Sequence, residues 1–161
     1  MENKISTQKT HELGIEAAVA AAKNSKNNVL IRSLQDPNKY FIISDKFYGA
    51  HEVIFKCSRA DKNPGRVQTN VSKNEYKNRY TNVGQYDDKV YILVHLDTAT
   101  GKNRFFCISH KDLVTLQFCI DRDNGNTERR PYTFKRWLCD GDGRNNMDIA
   151  TLAEQDCEIW N

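Results

Sequence analysis

The stretch "SDKFYGAHEVIFKCSR", residues 44–59, places two opposite charges inside what otherwise reads as an apolar strand. Successive side chains of a strand point to opposite faces. Val53, Phe55 and Cys57 are therefore expected to enter a core, and Glu52, Ile54 and Lys56 to share the other face. Four residues of strand set Glu52 and Lys56 roughly 13 Å apart along it. Just upstream, "KYFIIS" (39–44) has the aromatic and β-branched content of a second strand, and Phe47-Tyr48-Gly49 separates the two. A hairpin follows, with Asp45 at its turn and able to return to the face of Glu52 and Lys56.

Outward from this hairpin, "THELGIEAAVAAAK" (10–23) reads as a helix, with Thr10 as N-cap and Glu12 in its first turn. "NVLIRSL" (28–34) is a short strand or a helix end, and Asp36-Pro37-Asn38 a turn. Asn63-Pro64-Gly65 is a turn. "VSKNEYKNRY" (71–80) has the Ser72 and Glu75 spacing of a capping box. "KVYILVHLD" (89–97) is almost continuously apolar, as expected of a central strand covered on both faces. "RFFCIS" (104–109) returns antiparallel to it, and Ser109 opens a short helix. "PYTFKRWL" (131–138) reads as a late strand and "NNMDIATLAEQ" (145–155) as a final helix capped by Asn145 or Asn146. These elements predict one domain over 1–161, of α+β (mixed α/β) class, with a single central mixed sheet flanked by helices.

The totals bound the function. A chain of 161 residues is long enough for one real core. Its five cysteines are widely spaced and form no CxxC, which argues against a zinc site and a secreted disulfide framework. A reducing, cytoplasmic setting is the expectation. No apolar run approaches the ~20 residues that span a bilayer. The formal net charge is only +3, but between residues 56 and 80 seven basic residues stand against two acids. Arg59, Lys62, Asn63, Arg66, Gln68, Asn70, Lys73, Lys77 and Arg79 are the candidate DNA contacts, with "GRVQTN" (65–70) as a base-reading loop; a solvated polar loop is the alternative reading of the same window. Lysine and arginine neutralise phosphates; asparagine, glutamine and arginine read base edges. A second basic cluster, Arg129, Arg130, Lys135 and Arg136, extends the pattern. Asp140, Asp142 and Asp148 do not keep an EF-hand spacing and are read as a turn leading into a helix. His51 is expected to be structural, His95 a hydrogen-bonded core residue and His110 a surface residue of a first helical turn.

Two carboxylates with an ammonium nearby suit metal-dependent phosphodiester cleavage, because Mg²⁺ prefers oxygen ligands and a lysine can orient the attacking water. The same residues also have plain readings: Asp45 as a turn initiator, and Glu52 and Lys56 as charges that guard an edge strand.

Asp45, a short turn and "EVIFK" on the next strand resemble the catalytic hairpin of the PD-(D/E)XK nucleases, the restriction-endonuclease-like superfamily, over roughly residues 10–116. The resemblance implies a restriction-endonuclease-like fold and a small type II restriction endonuclease acting on duplex DNA with Mg²⁺ or Mn²⁺. It implies Asp45 and Glu52 as metal ligands, Lys56 as the third catalytic residue, and Glu12 or Glu16 as an outer carboxylate. Ile54 stands where that pattern has its second acid, so Glu52 would have to substitute for it. A palindromic target would imply a homodimer. A non-catalytic DNA-binding module on the same fold and a small protein-interaction or anti-restriction factor are the alternatives.

Overall fold

Thr10, Gly14, Ala18 and Ala22 recur at every fourth position and form the buried stripe of helix α1 (Thr7–Ala22). Residues four apart lie on one helix face, and none of these side chains is larger than threonine, so α1 can lie close to what it covers. The computed structural model describes residues 6–68, 89–110, 112–113 and 146–160. The helix begins earlier than the sequence suggested: Ser6 is the N-cap, its Oγ accepting from the Lys9 N–H at 3.1 Å. Thr10 is instead buried in the first turns, its hydroxyl donating to the Ser6 carbonyl at 3.1 Å. A serine that satisfies an orphan N–H outcompetes a threonine whose methyl can be buried.

The strands are β1 (Asn28–Arg32), β2 (Tyr40–Ser44), β3 (Ala50–Arg59), β4 (Arg66–Gln68), β5 (Val90–Leu96), β6 (Arg104–Ser109), β7 (Asn146–Asp148) and β8 (Glu158–Ile159). A second helix, α2 (Ile149–Glu154), follows β7 directly. Six strands form one sheet in the order β1-β2-β3-β5-β6-β8. Its neighbours are antiparallel except β3 and β5, which run parallel, so the sheet is mixed. The sheet curls: Trp160, just past the outer strand β8, donates its Nε1–H to the Asn28 carbonyl of the opposite outer strand β1 at 2.7 Å. β4 and β7 form a separate antiparallel ribbon.

Both faces of the sheet are covered. On one face Ala18 of α1 packs with Ile42, Val53, Phe55, Ile92 and Val94. On the other, Tyr91, Leu93, Phe106 and Ile108 pack against Val67 and Met147 of the ribbon and Ile149 and Leu152 of α2. Every residue of β5 is buried, as its near-continuous apolar run predicted. The α+β class with a mixed sheet is thus as expected, while the second face is covered by the ribbon together with a short helix.

Three local expectations change. Arg66–Gln68 is a strand, not a loop, with Val67 fully buried. The region read as a final helix starts as β7, and Asp148, not Asn145 or Asn146, caps α2, accepting the Ala150 N–H at 2.8 Å. His110 is fully buried, not on the surface, because its ring stacks on Tyr91 and its Nδ1 lies 3.0 Å from the Tyr91 hydroxyl. Ser109 does cap the turn there, accepting the Asp112 N–H at 3.1 Å. The expected elements at 71–80 and 131–138 lie outside the described residues. Among the described residues no helix is long and apolar enough to cross a membrane.

Candidate functional site

Strand β3 is read out as its alternation predicted. Val53 and Phe55 enter the core under α1, while Ile54 packs toward the opposite cluster, which leaves Glu52 and Lys56 on that second face. The parallel pairing sets Val53 beside Val90, so Lys89 stands next to Glu52 at the entrance to β5. Lys89 Nζ lies 2.8 Å from Glu52 Oε2, and Lys39, at the start of β2, brings its Nζ to 3.3 Å from Glu52 Oε1. Each carboxylate oxygen thus faces its own ammonium. The hydrogen bond from Lys89 is the largest influence, and it holds the Glu52 carboxyl below the usual range against a partial burial that works the other way.

Lys56 sits further along the same face. Its ammonium lies over the Tyr91 ring, 5.8 Å from the centroid, a cation–π arrangement. Tyr91 is itself fully buried and joined to His110. The Lys56 charge is therefore carried on a fixed aromatic platform in the sheet.

The other predicted metal ligands lie apart from Glu52. Asp45 is exposed in the turn after β2. That turn is held by Ser44, whose Oγ accepts the Lys46 N–H and whose carbonyl accepts the Phe47 N–H at 3.2 Å. Because Phe41 pairs with Glu52 and Ile43 with Ala50, Asp45 lies roughly 13 Å beyond Glu52 along the hairpin, away from Lys56. Glu12 is on α1, which covers the opposite face of the sheet, and lies 3.9 Å from Lys9. Among the described residues no three His, Cys, Asp or Glu side chains come together to hold a metal. Asp45, Glu52 and Glu12, as placed, do not fit a Mg²⁺ or Mn²⁺ ligand set.

The predicted DNA contacts divide. Lys62 and Arg66 are exposed near the turn that joins β3 to β4. Arg59 is 7% exposed and donates its Nε–H to Asp61 Oδ1 at 3.0 Å, so its guanidinium is spent internally. The Asn63 carbonyl pairs with His95 Nε2 at 3.0 Å, giving His95 the core hydrogen bond expected of it. Gln68 ends β4, its backbone opposite Asn146. Asn70, Lys73, Lys77 and Arg79 lie outside the described residues, as do Asp140, Asp142 and the second basic cluster. Lys39 and Lys89 were not singled out by the sequence. Their only local signal is that each opens an apolar strand, in "KYFIIS" and "KVYILVHLD".

These features define an α+β domain with a mixed sheet and a lysine-rich face around one carboxylate. No family model matches the chain, and no curated protein or solved structure is significantly similar to it.

Proposed function

We propose that this chain is a nucleic-acid-binding domain that takes duplex DNA phosphates on the lysine-bearing face of β3 and the strand entrances beside it. The observation that carries this reading is that, among the described residues, Lys39 and Lys89 both pair with Glu52 and Lys56 lies further along the same face. Glu52 fixes two of these ammonium groups in place, and among the described residues the three lysines outnumber it. Lys39 and Lys89 keep 53% and 29% of their side-chain surface exposed, so both remain open to a polyanion. Phosphates that replace condensed counterions there gain the release of those ions. Lys62 and Arg66, exposed near the turn that joins β3 to β4, are further candidate phosphate partners, beside the exposed Asp61.

The test is duplex affinity measured over a range of salt, for the natural chain and for a Lys39→Gln/Lys89→Gln variant. Affinity should fall steeply with salt and be weakened in the variant. An affinity that ignores salt, or equals that of the variant, would refute the reading. A second reading, Mg²⁺-dependent hydrolysis of duplex DNA by a PD-(D/E)XK-like site, draws its support from the helix that precedes the hairpin and from the shared face of Glu52 and Lys56. Plasmid nicking with Mg²⁺ or Mn²⁺ that is abolished in Lys56→Ala would favour it over simple binding. A palindromic cleavage site would bring with it the homodimer.

A further inference from the structure

Strand β1 is covered at its first residue and open beyond it. The Asn28 carbonyl is taken by Trp160, and the Asn28 N–H by Ser25 Oγ at 3.2 Å. Followed across the pairings of the sheet, β8 runs in the same direction as β1. The end of β8 therefore meets the beginning of β1, and Leu30 and Arg32 lie past the contact. The Ser33 N–H bonds the Lys39 carbonyl at 2.9 Å, so Val29, Ile31 and Ser33 turn their backbone groups toward β2. Alternation in an antiparallel pair turns those of Leu30 and Arg32 outward. Among the described residues, no backbone group bonds them there. A free edge of this kind is a template for a further strand.

The side chains along this edge differ by face. Val29 stands opposite Ile43 and Ile31 opposite Phe41, which puts them on one face. Val29, Ile31 and Ile43 are between 36% and 44% exposed, an aliphatic row for which duplex phosphates have no use. On the other face the exposed Arg32 is held over the Tyr40 ring, 5.7 Å from its centroid, and donates its Nε–H to the Pro37 carbonyl at 2.6 Å. Its remaining guanidinium N–H groups are left for a partner.

We infer that the Leu30–Arg32 edge of β1 takes an extended acidic segment of a partner protein as an added strand. The backbone of that segment bonds Leu30 and Arg32, its alternate apolar side chains cover Val29 and Ile31, and a carboxylate between them meets Arg32. A second copy of the chain fits this edge poorly. The antiparallel register that clears Asn28 pairs Leu30 with Arg32 of the other copy and makes the two Arg32 charges diagonal neighbours, which repel.

The probes are two fluorescein-labelled hexapeptides, one alternating valine with glutamate and one alternating valine with lysine, followed by anisotropy. The glutamate peptide should bind at least tenfold more tightly than the lysine peptide, and Arg32→Glu should reverse that preference. Ile31→Lys changes an exposed side chain and should weaken binding tenfold or more. N-methylation of the peptide's glutamates, whose amides would face β1, should abolish it, and exchange of the Leu30 and Arg32 amides should slow in the complex. A glutamate peptide that does not bind, or binds equally well after N-methylation or to Ile31→Lys, overturns the inference. So does a dimer that sedimentation detects in the natural chain and loses in Ile31→Lys, because the edge then holds a second copy.

Discussion

Lys89 and Glu52 are lateral neighbours across the parallel β3–β5 pairing, with Nζ and Oε2 2.8 Å apart. This pair ties the entrance of the central strand to the hairpin. It makes Glu52 a charged group whose protonation the fold opposes.

Glu52→Gln should therefore destabilise the domain at neutral pH by about 1 kcal/mol, the upper end for a partly exposed pair. The carboxyl is held below its ordinary value of 4.5, first by the Lys89 hydrogen bond. Its contribution is thus fully present above pH 4.5 and is lost as the pH falls through the lower folded value. Urea denaturation of both proteins at pH 7 and again well below pH 4 should show the difference at the first and not at the second. An equal difference at both would remove the ionic explanation.

Gly14→Ala should destabilise, although alanine is the better helix former by about 1 kcal/mol. A Cβ at position 14 would lie 2.8 Å from Cys57 Cβ and closer still to its Sγ. Overpacking of this kind costs about 1–3 kcal/mol. Adding Cys57→Ala removes the sulfur but not the Cβ, so the double variant should recover part of the loss. Denaturation midpoints of the four proteins in this cycle decide it; a more stable Gly14→Ala would show that α1 can shift away from β3.

Cys57, Cys107 and Cys157 should resist alkylation in the native protein. Burial pushes the thiols of Cys57 and Cys107 up to about 12, and that of Cys157 upward as well. At pH 8 the thiolate fraction of the first two is then roughly one in ten thousand. Iodoacetamide labelling with peptide mapping should leave these three unmodified until denaturant is added. Rapid native labelling of Cys57 would place it outside the cover of α1.

Lys39→Gln and Lys89→Gln should each lower the slope of log affinity against log salt for duplex DNA by about 1, the count of one phosphate contact. Lys62→Gln and Arg66→Gln should act similarly. Arg59→Gln should instead lower stability, since Arg59 is buried against Asp61. Titrations at several salt concentrations, paired with thermal melts, separate the two behaviours.

Features written in local periodicity were legible. The alternation in "EVIFKC" sorted Val53 and Phe55 from Glu52 and Lys56, and the apolar run at 90–96 announced a strand covered on both sides. Illegible were elements made by distant partners. β7 and β8 have three and two residues and exist because Arg66 meets Asp148 and Phe105 meets Ile159. Such short strands carry no period of their own. His110 read as polar surface because nothing near it in sequence reveals Tyr91 as its stacking partner. The surroundings of Glu52 were hidden for the same reason: Lys89 reaches it only through a parallel register that a single strand cannot announce. Asp45 looked adjacent because the turn is short, yet the register sends it beyond the end of the ladder.

The hydrogen bond between Trp160 and Asn28 spans 132 residues. During synthesis, the Asn28 carbonyl must wait for all of that intervening chain before its partner exists. At several residues per second, α1 and the first hairpin have many seconds to form before the curl can be drawn closed. Entropy also penalises so wide a loop before any contact rewards it. The joining of the two outer strands should be among the last events in folding, so Trp160 emission should report a slow phase that the helical signal of α1 does not share.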